Sequence, residues 1–366
     1  LQVAVSLPSA TRRTRGEPMS RRLPFLLRCA LFCGAGLLAA TAQARMESLD
    51  DDQLSDVVGQ AFINLTTDAA NGLNFTRINF GADIETQLNM KKLQLGQYNR
   101  SGELAGSADI AIDNFALGTV NDATGAINPF LISNPYIEFA YDGSKMVGIR
   151  IGFGEAKGYL SGDIKTLTGN VPVDLYGTGS QLGGSISCGL LALDCLAAKT
   201  AITLTGSSQY TAQAELVNSS GNPDPIRAAM IGLKNGTALD MHDSTIIGSL
   251  VNVLLPFLTS NDCKLMGAQT CFNLAQYQSF PIGTVDPNNA QNFIDSSKGF
   301  FISMQSQNVQ WRDQQDPSKL VAALAGAFLN MSRNADGTAP IKVDFGQAFN
   351  GIPRQDTCLG GLNKGC

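Results

Sequence analysis

The chain has 366 residues and a formal net charge of −5, enough length for one large domain or two ordinary ones. An acidic chain repels nucleic acid and anionic lipid headgroups, which speaks against DNA or RNA as its partner. Charged residues make up only 16%, whereas glycine alone occurs 38 times. That balance suits extracytoplasmic β-proteins, whose turns and polar faces use small uncharged residues.

Residues 1–18 read as sequence upstream of a start at Met19. Residues 20–44 (SRRLPFLLRCALFCGAGLLAATAQA) then form a secretory signal peptide. Arg21 and Arg22 give the positive end, Leu23 to Ala40 the apolar stretch, and Ala42-Gln43-Ala44 the small-residue cleavage site. A lipoprotein is excluded, because Phe32 precedes Cys33 and Arg28 precedes Cys29. Cleavage after Ala44 leaves 322 residues. It removes six arginines and one glutamate, which moves the net charge to −10.

The mature chain opens with a helix signal over 48–59. Ser48 is placed to cap it, Asp50-Asp51-Asp52 supply negative charge in the first turn, and Gly59 ends it. The acidic triplet reads as a solvated helix start rather than a calcium site. From Phe75 to about Leu216 apolar residues recur with period two, the mark of antiparallel strands with one buried face. The apolar phase changes between Leu88/Met90 and Leu93/Leu95, and again between Ile110/Ile112 and Phe115/Leu117, which predicts bulges. Asp142-Gly143 predicts a hairpin. Ile137, Phe139 and Tyr141 lie before that turn, and Val147, Ile149, Ile151 and Phe153 after it. These seven are expected to face one core, with Arg150 pointing away. Gly177-Thr-Gly179-Ser-Gln-Leu-Gly183 has one residue too many for a dinucleotide fingerprint and reads as a loop.

Asp224-Pro225 predicts a helix stopped by Asn235-Gly236, with Ile226, Met230 and Leu233 on one face. Ile246–Leu258 is an apolar helix candidate, too short to span a bilayer. Residues 259–299 read as loop. Phe300, Ile302 and Met304, then Val309 and Trp311, alternate as strands. Asp316-Pro317 predicts another helix that brings Leu320, Leu324, Ala327 and Phe328 together. Ile341, Val343 and Phe345 give a last strand.

Six cysteines follow the signal peptide: Cys188, Cys195, Cys263, Cys271, Cys358 and Cys366. An even count in an exported chain reads as disulfides. Six cysteines allow fifteen connectivities, and the clustering favours the three neighbour pairs 188/195, 263/271 and 358/366. No catalytic, cofactor-binding or metal-ligating constellation emerges. His242-Asp243-Ser244 holds the residue types of a hydrolase triad, but sequence neighbours do not reach triad geometry. With no C-x-x-C and a single histidine, no metal site is expected. Asn-x-Ser/Thr sites at Asn64, Asn74, Asn218, Asn235 and Asn330 reflect an Asn/Thr-rich composition.

At Leu49, Asp51, Leu54, Ser55, Val57, Gly59, Gln60 and Ala61 the chain resembles an opening of exported Gram-negative proteins. That opening runs L-x-D-x-x-L-S-x-V-x-G-Q-A and occurs in proteins assigned to a pilus system (the Fil proteins) and in related surface proteins. The resemblance covers about a dozen residues and departs from the pattern at Phe62. It implies an envelope or surface setting and carries no catalytic residue.

The expected object is a mainly β protein with a few helices, built on large antiparallel sheets in a sandwich or barrel. Its parts are residues 1–44, a β-rich region 45–220, and a mixed α/β continuation 221–366, read either as the same domain or as a second. The expected role is non-enzymatic: a structural, adhesive or pilus-associated component of the periplasm, outer-membrane surface or exterior. Its expected partners are other envelope or surface proteins. A carrier of lipid or other apolar small molecules is the alternative, and an exported hydrolase a third. N-terminal sequencing of exported protein is expected to begin Arg45-Met46-Glu47. Retention of the apolar stretch in the mature protein would overturn the export argument.

Overall fold

Asp142 and Lys145 pair across a two-residue turn. Gly143 sits in that turn at φ +58°, a left-handed conformation that glycine adopts at no steric cost. The hairpin expected at Asp142-Gly143 therefore forms. A computed structural model of the chain describes residues 2–6, 63–189, 192–242, 259–265, 268–286, 288–334 and 336–359. The expected signal peptide, the expected opening helix with its motif through Ala61, Asp243, Ser244, the Ile246–Leu258 segment and Cys366 lie outside the described residues. Ala61–Cys366 is one compact unit that also takes in Leu1–Ser6, and Leu7–Gln60 is a second.

The protein is mainly β, with large antiparallel sheets. The larger sheet contains β1 (Ile63–Ala70), β2 (Leu73–Phe80), β3 (Asp83–Gln97), β4 (Ala108–Leu117), β5 (Phe130–Asp142), β6 (Lys145–Thr166), β7 (Phe301–Gln305) and β8 (Gly326–Asn330). Gln2–Ser6 adds to Asp83–Gln87 of β3. Four strands close a circuit. β3 pairs with β4, β4 with the far end of β6, β6 with β5, and β5 with the start of β3. The long β6 makes this possible by changing partners along its length. Up to Lys157 it pairs with β5; from Gly158 it pairs with Ser279–Ile282. Gly158 takes φ +135°, and a Cβ there would lie 2.9 Å from the Phe130 Cα. Only glycine fits that crossing.

The two expected phase changes fall opposite each other. Leu88 faces Leu117, Met90 faces Phe115, Leu93 faces Ile112 and Leu95 faces Ile110, while Lys91 and Asn114 drop out of the ladder between them. Asn114 stands at φ +52°. Both strands change face together at that point, so apolar still meets apolar. Register shifts appear where β4 meets β6, between Asp113 and Ala116 among others.

A smaller sheet runs Cys271–Asn273, Met230–Gly232, Gln209–Val217, Val173–Thr178 and Ile341–Asp344. Its last pairing is parallel, as is that of Gly169–Asn170 with β8. Residues of both sheets share one buried core that includes Ile112, Phe130, Leu160, Val173, Tyr210 and Ile341.

Several expected elements take another form. Met230–Gly232 is a strand rather than helix. Arg227 is held at φ +46° with its N–H on Thr168 Oγ1, and Ala228 pairs with Leu167. Tertiary pairing there overrides the Asp-Pro helix signal. Asp316 accepts from the Ser318 N–H and starts a turn, not a helix. Leu320–Ala323 folds back as a strand on Val309–Arg312, and Leu324 joins it to β8. Residues 259–299 contain short strands, including the fully buried Ser279–Ile282. Gly179–Ser185 is a helix rather than loop, with a capping box between Thr178 and Gln181. A second helix, Leu193–Leu204, interrupts what read as continuous strand. Phe345 leaves the last strand to begin the helix Phe345–Asn350, capped by Asp344.

One buried ion cluster ties distant parts together. Asp109 is completely buried. It accepts from Arg227 Nε at 2.9 Å and from the Ala327 N–H at 2.9 Å, with Arg100 at 3.4 Å. Arg227 also donates to Ser107 Oγ and the Tyr98 carbonyl. Removing one partner of a buried pair strands the other charge, at about 3–5 kcal/mol. Asp109→Ala is therefore expected to lower unfolding free energy by about that amount in denaturant titration.

Candidate binding face on the large sheet

The functional surface grows out of the two sides of five adjacent strands: β1, β2, β5, β6 and β7. Residues directly opposite in an antiparallel ladder point to the same side. Arg77 on β2 faces Glu138 on β5, Glu138 faces Arg150 on β6, and Arg150 faces Ser303 on β7. This is the buried side. Arg150 is 0% exposed and Glu138 4%. Arg77 Nη2 lies 3.1 Å from Glu138 Oε1, and Arg150 Nε bonds the other carboxylate oxygen.

The expectation that Arg150 points outward is thus corrected. The physical reason lies in its neighbours. Gly148 and Gly152 flank it on the same side of β6, and aromatic rings fill the room they leave. Trp311 lies over Gly148, and a Cβ on Gly152 would meet the Tyr136 ring at 2.2 Å. The guanidinium carbon sits 5.0 Å from the Phe301 and Trp311 ring centres and 5.4 Å from that of Tyr136. Ring faces attract a cation most when water is excluded. Burial pushes the Tyr136 phenol up from its ordinary pKa, which keeps it neutral beside the two arginines.

A hairpin of Val309–Arg312 and Leu320–Ala323 covers this side. Arg150 Nη1 donates to the Arg312 carbonyl at 2.9 Å, and Arg77 Nη1 to Gln314 Oε1 at 2.8 Å. Trp311, Phe75, Val147 and Phe328 complete its core. Val147 belongs here because the register slips between Ala140 and Tyr141, which turns it away from Ile149. It does not share a side with Ile149, Ile151 and Phe153 as expected.

The opposite side is apolar and open over β1, β2, β5 and β6, and closes onto the shared core at Ile302 of β7. Leu65, Ile78, Ile137, Ile151 and Ile302 stand in one cross-strand row. The next row reads Thr67, Thr76, Phe139, Ile149 and Met304. Ile63 and Phe80 extend the surface. Leu65 is 63% exposed, Ile63 55%, Ile151 46% and Met304 45%. Ile78, Phe80, Ile137, Phe139 and Ile149 are half-buried, and they join none of the three buried clusters among the described residues. These rows contain no Asp, Glu, Lys or Arg. Two rows across five strands about 4.8 Å apart, with Ile63 and Phe80 beside them, span on the order of 400 Å². That is near the largest apolar patch a monomer ordinarily exposes, and such patches mark interaction sites.

Two concavities of different kind accompany this surface. At its β6–β7 end an open depression of about 520 Å³ lies between Ile149, Met304, Gly96 and Tyr98. Within the shared core, two small apolar cavities of about 20 Å³ each are lined by residues such as Leu175, Phe272 and Tyr277.

The cysteines fall where expected in part. Cys188–Cys195 and Cys263–Cys271 are bridged, with Cα separations of 5.7 and 5.1 Å. Cys358 is disulfide-bonded, and Cys366 lies outside the described residues. Disulfides mark an oxidising, exported setting. No helix among the described residues is long and apolar enough to cross a membrane. His242 Nε2 meets Thr211 Oγ1 at 2.8 Å. No group of three or more His, Cys, Asp or Glu side chains placed to hold a metal occurs among the described residues. The sequence reading missed the open face because its residues were assigned to a core. The available signal was the glycine-arginine-glycine alternation on β6.

A family model described as a family of unknown function (DUF6160) matches residues 23–125. No curated protein matches the chain. No solved structure matches it either.

The two sides of β6 are expected to respond in opposite ways. Arg150→Ser strands buried Glu138 and is expected to cost about 3–5 kcal/mol in denaturant titration. Ile151→Ser, on the open side, is expected to cost less than about 1 kcal/mol. Equal losses would mean that both sides are buried.

Proposed function

We propose that the protein is an exported, non-catalytic component of the cell envelope or cell surface, with a structural, adhesive or pilus-associated role exerted through contact. One observation carries this reading. Five strands present a wide, uncharged apolar face while the protein buries its arginines on the other side. A soluble chain keeps such a surface at the risk of aggregation, which favours a surface that is used. The signal peptide and the opening that resembles exported Gram-negative surface proteins support the setting. A periplasmic or outer-surface site fits both.

Carriage of lipid or another apolar small molecule is the second reading. The open depression beside Ile149 and Met304 favours it, since about 520 Å³ lies within the range of ligand pockets. The small core cavities speak against a ligand wrapped inside, because about 20 Å³ has room for little more than a water and lies far below the range of ligand pockets.

The test is site-specific crosslinking in the native host. A photo-reactive phenylalanine analogue replaces Ile151, and irradiated cells are probed for higher-mass adducts in the envelope fraction. Adducts at position 151, absent with the same analogue at Glu103 on an exposed loop, are the expected outcome. Absence of any protein adduct, with a bound apolar molecule in native mass spectrometry, would favour the carrier.

A further inference from the structure

We propose that the edge of β3 over Asp83–Gln87 is a strand-acceptor site, to which an extended segment of an exported partner adds as one more antiparallel strand. The inference concerns a surface other than the apolar face. It rests on one part of the export reading, the loss of everything before Arg45.

The strand already seated on that edge is the first argument. Gln2–Ser6 pairs with all five residues in an unbroken antiparallel register, from Gln2 opposite Gln87 to Ser6 opposite Asp83. A start at Met19 or cleavage after Ala44 equally removes that strand from the exported protein. Its loss uncovers about 17 Å of ladder. On the other edge the same stretch keeps Phe130–Ser133, and from Leu88 onward β3 keeps β4. The bare stretch therefore belongs to a strand whose remaining pairings stand. It holds no proline and shows no register shift, two devices that blunt an edge. Unpaired N–H and C=O groups on such an edge template another extended chain.

The side chains along the edge select the partner. Residues directly opposite in a ladder share a side. On the inner side Ile84 packs against the shared core and Thr86 is buried. Val5 and Val3 hold the register positions opposite them, and β-branched residues suit such half-buried places. On the outer side Asp83 and Glu85 are exposed and have no ion-pair partner among the described residues. A depression of about 320 Å³ beside them is lined in part by Asp83, Glu85, Glu155 and Lys157. Lys298 lies 3.5 Å from Glu155, so Asp83 and Glu85 outnumber the one remaining lysine. A long basic side chain opposite Glu85, where the register places Ala4, meets both opposite charge and room.

A second copy of the chain is a poor occupant. Paired in full with its own copy, the stretch sets Glu85 opposite Glu85, and like charges directly opposite are destabilising. The partner is therefore a segment of a different protein, with β-branched residues alternating with basic or neutral ones.

The experiment is hydrogen exchange of the purified mature protein, Arg45–Cys366, with synthetic peptides up to about 1 mM, a range that reaches weak peptide affinities. The first peptide is Leu1–Pro8 (LQVAVSLP). It is expected to slow exchange over residues 83–87 saturably. Ala4→Lys in the peptide is expected to tighten binding about threefold, and Glu85→Lys in the protein to reverse that preference. Val3→Asp/Val5→Asp in the peptide is expected to weaken binding at least about tenfold. Glu85 is exposed, so its variant should melt close to wild type. Should it misfold, the two altered peptides still decide with wild-type protein. Failure of the peptides leaves adducts at position 151, and with them the proposed function, untouched. No slowing at 1 mM, or equal slowing by the Asp-substituted peptide, overturns the proposal. So does full protection of residues 83–87 without peptide, since the mature chain would then cover its own edge.

Discussion

The large sheet depends on one guanidinium held out of water. Arg150 touches Glu138 on one neighbouring strand, a carbonyl of the covering hairpin, and three aromatic rings. A buried cation without these partners would cost several kcal/mol. Pairing of its Nε and Nη1, with Nη2 left to the ring faces, fixes which side of β5, β6 and β7 is inside. A one-residue slip in a β-ladder sends every side chain to the other side, so any register that exposed Arg150 would also break the ring contacts. The apolar rows face outward as the reverse of the same choice.

This arrangement shows what the sequence revealed and what it hid. The strands were legible from alternation and the hairpin turn from Asp142-Gly143, because both signals act over a few residues. The sidedness of β6 was not. A strand reading Val-Gly-Ile-Arg-Ile-Gly-Phe assigns its large residues to the core by the usual rule that apolar means inside. Here the decisive partners lie far off in the chain. Trp311 sits more than 150 residues from Arg150, and no local pattern announces that its ring needs the space beside Gly148. The helix signals at Asp224-Pro225 and Asp316-Pro317 failed for a related reason. An Asp-Pro pair opens a turn as readily as a helix, and distant strand partners decided between them. The two described disulfide pairs, Cys188–Cys195 and Cys263–Cys271, were legible because neighbours in sequence make them. The open face belongs to the illegible class, since exposure is a property of what does not pack.

The covering hairpin shapes what the chain can present. By capping the arginine side it takes the only tryptophan and the large aromatic rings out of contact with solvent. The outer side is left with isoleucine, leucine, methionine and phenylalanine beside threonines. Such a surface offers area and shape but few hydrogen bonds, so it discriminates among partners by fit. Water at its threonine edge retains hydrogen bonds that the aliphatic rows lack.

The Asp109 cluster carries a consequence for the order of events during folding. Its carboxylate reaches partners 118 and 218 residues away in sequence. Ordering a loop of that length must precede any reward from the contact, and topologies rich in such contacts fold slowly. Until residue 327 arrives, Asp109 and the aliphatic strand runs around it stand incomplete in a collapsed chain. For a polypeptide that emerges end first into an oxidising compartment, this sets a lag between the appearance of the sticky strands and their burial. The two short-range disulfides can close within that lag, since their cysteines lie only 7 and 8 residues apart. Short sequence separation thus lets covalent closure of the small loops run independently of the ionic closure of the whole.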